Sequence, residues 1–232
     1  MDDLFKKIVE EGKQDGPLDT LVCKPREVEP WRIFRIMSEF VQGFDVLHKH
    51  GLAATFFGTA RCSVGDEVYE NAEKLAYRLG ERGFAIITGG SAGVMQAANK
   101  GGFEAGGASI GLNITLPNEQ GSNRYLTETV LFDHFFVRKV MLTFASEVYI
   151  YFPGGFGTLD EFFEIVTLIQ TEKIPRVPIV LFDKSYWNPL TTLIEEELYK
   201  KRQAISKEDM DLYHVVDSVD EAYEYIVTHV EC

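Results

Sequence analysis

Cysteine is scarce in this chain, with three residues among 232: Cys23, Cys62 and Cys232. They are too few and too scattered for a disulfide scaffold or a metal knuckle, which leaves reduced thiols as the plain reading. Cys62 follows a glycine turn, but no base stands beside it in the sequence, so it reads as an ordinary thiol. The five histidines (His48, His50, His134, His214 and His229) show no metal-site spacing beyond one i, i+2 pair, whose members point to opposite sides of a helix. Basic charge is also short: 23 Lys and Arg against 36 Asp and Glu leave a net charge of −13. A nucleic-acid surface needs a basic stripe, so that class is excluded, although a few local donors suffice to hold a single nucleotide. No apolar run approaches the ~20 residues of a membrane span, and the N-terminal MDDLFKKIVEEGKQDG lacks a signal peptide's apolar core. These absences point to a cytoplasmic protein with no membrane partner.

What remains has the composition of one globular α/β domain, expected to span 1–232. Residues 1–30 are polar and interrupted by Gly12, Gly16, Pro17, Pro25 and Pro30, which reads as a short helix followed by an arm. Over 31–50, Trp31, Phe34, Met37, Phe40, Val41 and Phe44 recur at three- and four-residue steps and predict a helix. It carries more large apolar residues than a solvent-facing helix needs, so it packs on the domain or on another subunit. From Ala53 onward, apolar runs alternate with helical patterns. Strands are expected at 53–57, 84–88, 109–113, 148–152 and 178–182, and helices at 66–82, 92–105, 134–145, 159–170, 185–199 and 219–230. That alternation predicts a parallel sheet covered by helices on both faces.

Three of the expected strands end in small, glycine-bearing turns: Gly58-Thr59-Ala60-Arg61, Gly89-Gly90-Ser91-Ala92-Gly93 and Pro153-Gly154-Gly155-Phe156-Gly157-Thr158. In an open α/β sheet, ligands collect outside the carboxyl ends of the strands, where helix N-termini present free N–H groups to anions. Converging on one sheet edge, these turns would form a shared anion-binding floor. None matches Gly-x-Gly-x-x-Gly, and no Walker lysine follows, which argues against a P-loop NTPase.

Two further residues stand out. Thr158-Leu159-Asp160-Glu161 fits a capping box, with Thr158 as N-cap and Glu161 reaching back to it; Glu161 could equally be an acid facing a ligand. Arg138 falls on the mostly apolar side of its helix with Met141, Leu142 and Ala145, while Lys139 falls on the more polar side. A guanidinium there needs an anionic partner, either a structural carboxylate or a ligand phosphate. Tyr186 and Trp187 read as core or interface residues.

The stretch Pro153–Glu161 resembles the Pro-Gly-Gly-x-Gly-Thr-x-x-Glu motif of the Lonely Guy family, and Arg138-Lys139 resembles that family's Arg-Lys pair. The resemblance extends from Phe56 to Trp187 through FFGTAR, ITGGSAGVMQAAN, GLNITLPNEQ and FFVRKVM. The segment WRIFRIMSEFVQGF is similar to the bacterial branch with an added N-terminal helix. The chain departs from the family in the second turn, where Ser91 and Ala92 interrupt Gly-Gly-Gly-x-Gly, and in a longer segment from Asn113 to Thr127.

This resemblance implies a Rossmann-like three-layer fold and a phosphoribohydrolase that cleaves the N-glycosidic bond of AMP or a cytokinin riboside 5′-monophosphate. It implies Arg138 and Glu161 as the catalytic pair. Substrate binding would fall to Gly58, Thr59, Arg61, Gly89, Gly90, Ser91, Gly93, Glu119, Lys139, Gly154, Gly155, Phe156, Gly157, Thr158, Asp160 and Thr167. No metal or organic cofactor is implied, and assembly as a homodimer or larger homo-oligomer is. The label lysine decarboxylase, often attached to such proteins, would require a pyridoxal-phosphate lysine, yet the only His-Lys step, His48-Lys49, lies far from every glycine turn. The competing reading is a non-catalytic nucleotide-binding or carrier protein of the same Rossmann-like type.

Overall fold

The computed structural model describes residues 29–115 and 121–230. The helix and arm expected within 1–30 lie outside the described residues apart from 29 and 30. The chain divides into two compact units, Met1–Arg32 and Ile33–Cys232, and the fold below is that of the second.

Seven parallel strands form one sheet in the order β4-β3-β2-β1-β5-β6-β7. They are β1 (Ala53–Phe57), β2 (Ala85–Thr88), β3 (Ser109–Ile114), β4 (Glu128–Phe132), β5 (Val148–Tyr151), β6 (Ile179–Phe182) and β7 (His214–Val216). The five expected strands are all present. Their sequences are continuous apolar runs because both faces are covered: every residue of β1, β2, β3, β5 and β6 is buried. The two strands missing from the sequence reading lie at the edges. In β4 (ETVLF), Val130 and Phe132 are buried between exposed Thr129 and Leu131, so its apolar run is broken; β7 is only three residues long.

Helices are α1 (Arg32–Leu47), α2 (Glu67–Glu81), α3 (Val94–Glu104), α4 (Phe135–Thr143), α5 (Phe156–Gln170), α6 (Lys184–Leu193) and α7 (Val219–His229). The helix expected over 185–199 is divided: beyond α6 the backbone widens into a π-helical stretch at Ile194–Lys201. Strand side chains alternate between two cores. Ala53, Phe57, Tyr149 and Tyr151 meet Met141 of α4, Phe162 of α5 and Trp187 of α6, whereas Ala54, Phe56, Val148 and Ile150 meet Leu75 of α2, Ala97 of α3 and Ile226 of α7. The result is a three-layer α/β sandwich, as the sequence predicts. No helix among the described residues is long and apolar enough to cross a membrane.

Helix α1 is attached by two unlike contacts. Gly43 approaches Met141 so closely that a Cβ there would lie 2.4 Å from its sulfur. Glu39, itself buried, accepts hydrogen bonds at the start of α4, with Oε2 3.1 Å from the His134 N–H and Oε1 2.7 Å from His134 Nδ1. Ile36, Phe40 and Leu47 pack on the core, and the opposite face leaves Ile33, Phe34, Met37, Val41 and Phe44 exposed.

Candidate ligand-binding site

The strand order reverses direction between β1 and β5, and the segments leaving those two strands diverge there. Such a switch point opens a crevice at the carboxyl edge of the sheet. In this protein the crevice is a cleft of ≈ 680 Å³ whose walls include Phe57–Arg61 after β1, Pro153–Thr158 after β5, and Gly89, Arg138 and Glu161. Ligand pockets typically measure about 300–1,000 Å³.

Backbone bonds knit the walls together. The Thr59 N–H donates to Pro153 O (2.9 Å), and the Val94 N–H donates to Thr59 O (2.9 Å). Gly93 permits this approach: its φ is +68°, and a Cβ would fall 2.2 Å from Thr59 O.

Helix α5 supplies the anion-binding end of the cleft, and it does not begin where the sequence suggests. Its first residue is Phe156, its N-cap is Gly155, and no side chain caps it. The expected capping box is therefore absent. Thr158 already sits inside the helix, its own N–H donating to Gly155 O at 3.0 Å, and Thr158 Oγ1 would lie 2.0 Å from a Cβ on Gly154. Gly155, Phe156 and Gly157 are exposed, and a Cβ on Gly155 or Gly157 would meet nothing within 4 Å. An uncapped first turn with free N–H groups and the positive end of the helix dipole suits a phosphate.

Released from capping, Glu161 lines the cleft while only 7% exposed, and its Oε2 has no hydrogen-bond partner. Burial raises its pKa from 4.5 to about 7; Lys139 and Arg138 oppose the rise, while Glu164 and Asp160 add to it. At neutral pH the carboxyl is about half protonated, able to donate to or accept from a ligand hydroxyl. Arg138 is half-buried. Its Nε donates to the Leu112 carbonyl at 2.8 Å, its charge acts on Glu161, and Nη2 lies so close to Gly89 that a Cβ there would be 2.4 Å away.

The expected residues therefore separate. Gly58, Thr59, Arg61, Gly89, Arg138, Gly154, Gly155, Phe156, Gly157, Thr158 and Glu161 line one cleft. The second turn contributes only Gly89. The Gly90 N–H is engaged by Thr88 Oγ1 at 2.8 Å, and the carbonyls of Gly90 and Ser91 accept from Asn113 and Asn123. Gly90, Ser91 and Gly93 thus shape the floor from outside the lining, contrary to a floor built equally from three turns. Lys139 is turned away into ion pairs with Asp160 (2.6 Å) and Glu164 (3.0 Å), which takes Lys139 and Asp160 off the lining. Thr167 is exposed more than two turns further along α5. Glu119 lies outside the described residues. Tyr186, read from sequence as core or interface, and Met95 and Phe135 join the lining. Only the order of strands and loops in space could have revealed them.

The family model described as possible lysine decarboxylase matches residues 95–226, more than half of the chain. The chain belongs to this family. Its relatives include a cytokinin riboside 5′-monophosphate phosphoribohydrolase of Rhodococcoides fascians, 25% identical over 62% of this chain and 74% of that protein. A protein of the same description from Arabidopsis thaliana is 31% identical over 56% of this chain and 58% of its own length. A probable phosphoribohydrolase of Oryza sativa is 30% identical, with this chain spanning 53% of it. The family's description does not translate into a lysine site: Lys49 lies beyond the end of α1, 3.4 Å from Glu128, and no lysine among the described residues lines the cleft.

Among solved structures, the molybdenum cofactor carrier protein of Chlamydomonas reinhardtii matches with a TM-score of 0.59 and 19% identity, over 76% of this chain and 96% of its own. The molybdenum cofactor binding protein of Rippkaea orientalis matches with a TM-score of 0.55 and 21% identity, over 76% and 94%. At this identity the likeness is one of fold. It nevertheless overturns the expectation of a definite N-glycosidase: cofactor carriers share this architecture over three-quarters of the chain, so a hydrolase does not follow from it.

Proposed function

We propose that the chain binds a nucleoside 5′-monophosphate, or a larger nucleotide-like phosphate ester, and holds it as a carrier rather than cleaving it. The observation that carries this reading is the presence, in one switch-point cleft, of an uncapped helix N-terminus and a buried carboxyl whose Oε2 has no hydrogen-bond partner. The first-turn amides of α5, with Arg61 on the same cleft lining, suit a phosphate. Glu161, half neutral at pH 7, suits a sugar hydroxyl and avoids setting a second full anion beside the phosphate. Phe156, 93% exposed, and Phe135 stand at the lip and offer apolar faces to a planar base. That open lip keeps a bound ligand within reach of a receiving protein. The phosphoribohydrolase relatives support the nucleotide, and the cofactor-binding structures support the carrier.

Equilibrium dialysis with AMP, followed by chromatography of the recovered nucleotide, tests the reading. Saturable binding with AMP returned intact is expected. Release of adenine and ribose 5-phosphate would overturn the carrier role, and the lack of saturable binding would overturn the nucleotide.

A further inference from the structure

At the start of α6, Asp183 adopts φ +87° and ψ 95°, a conformation that residues other than glycine rarely hold. It is over-determined. The Asp183 N–H donates to Val216 O at 2.9 Å, and its Oδ1 accepts from the Ser185 N–H (2.9 Å), Ser185 Oγ (2.6 Å) and the Tyr186 N–H (3.2 Å). Backbone strain persists where surroundings impose it, and it concentrates at ligand sites. Its result here is the placement of Tyr186. The ring stands edge-on to the buried Trp187, with centroids 5.0 Å apart, and Trp187 Nε1 donates to Tyr151 O at 3.1 Å, at the end of β5. From that platform the Tyr186 hydroxyl donates to Gly154 O at 2.7 Å.

The consequence follows from the planarity of the peptide unit. The Gly154 carbonyl and the Gly155 N–H belong to one trans plane and point in opposite directions. Holding the carbonyl against Tyr186 aims the amide of Gly155, the N-cap residue of α5, the other way. Glycine at 154 and 155 leaves this plane free to rotate unless something outside the loop restrains it. Thr158 crowds Gly154 from one side; Tyr186 supplies the directional restraint.

We propose that Tyr186 is a positioning residue for the anion, setting the Gly154–Gly155 peptide plane so that the loop amides converge on a phosphate group, and that the strained Asp183 cap serves to aim Tyr186. This rests on the phosphate-binding reading of the cleft. Tyr186 acts through its bond to the loop, so its effect falls on the phosphate end of the ligand.

The test uses the full chain carrying Tyr186→Phe, which keeps the ring packed on Trp187 and removes only the hydroxyl. In the ligand-free protein, the Gly155 15N–1H resonance should move and its backbone order parameter should fall. AMP affinity should fall roughly five- to tenfold, the scale of one hydrogen bond, while adenosine affinity stays unchanged. Asp183→Asn, which preserves the cap, should behave as the parent protein, and Asp183→Ala should reproduce Tyr186→Phe. An unmoved Gly155 resonance with an unchanged order parameter overturns the proposal, as does an equal loss of AMP and adenosine binding. If the parent protein does not bind AMP, the nucleotide reading fails, and the ligand-free Gly155 resonance and order parameter alone decide the role of Tyr186.

Discussion

Replacing Glu161 by glutamine removes a charge that the cleft wall solvates poorly and leaves the shape of the side chain almost unchanged. Burial lifts the folded-state pKa from 4.5 to about 7, with Lys139 and Arg138 only partly offsetting it. Because the folded value lies above the unfolded one, the folded state favours the protonated acid. Its stabilisation is complete below pH 4.5 and is lost as the pH rises through about 7. At ~1.4 kcal/mol per tenfold, ionised Glu161 costs the fold about 3 kcal/mol at pH 8 and less than about 1 kcal/mol at pH 5. Glu161→Gln carries no such penalty. Its Tm should exceed that of the parent by roughly 6–12 °C at pH 8 and by no more than roughly 3 °C at pH 5, given ~2–4 °C per kcal/mol in a domain of this size. Differential scanning calorimetry at the two pH values reads this directly. A Tm difference independent of pH, or a glutamine variant less stable at pH 8, would refute a desolvated carboxyl at Glu161.

Gly157→Ala places a methyl in open space over the first turn of α5, so the fold should hold, or gain up to about 1 kcal/mol from helix propensity, while AMP binding is lost; unchanged affinity by calorimetric titration would move the phosphate elsewhere. Asn99→Ala breaks a network around the fully buried Asn99, in which Oδ1 accepts from Thr88 Oγ1 (2.6 Å) and the partly buried Asn123 Nδ2 (2.9 Å), and Nδ2 donates to Ser109 Oγ (2.9 Å). Unfolding in urea should show a loss of about 2–4 kcal/mol, the cost of several stranded polar groups, and a loss below about 1 kcal/mol would mean that they find other partners.

The misreadings have identifiable causes. Strand β4 escaped notice because an edge strand wets one face, and the continuous apolar run that marks the interior strands disappears. Thr158 looked like a cap because its spacing to Glu161 satisfies the pattern, but the pattern carries no information about where the loop stops. A short turn out of β5 starts the helix two residues before Thr158 and thereby leaves Glu161 to the cleft. Lys139 and Arg138 are adjacent in sequence, and helical rotation sends one to Asp160 and Glu164 and the other to the Leu112 carbonyl.

The sequence by itself determined the layer architecture, because burial on both faces requires uninterrupted apolar strands and the intervening amphipathic segments can only be helices. It also placed three glycine turns at strand ends, since tight strand-to-helix turns and close backbone approach need glycine. Only the tertiary structure decided which turns face one another. Parallel strands separated by a crossover carry no mark of their neighbours, and the pairing of β1 with β5, 94 residues apart from Ala54 to Val148, opens the cleft between two particular loops. The same packing decided that Glu161 is desolvated and that Tyr186 reaches Gly154, because burial and partnership are properties of the assembled chain and not of any segment within it.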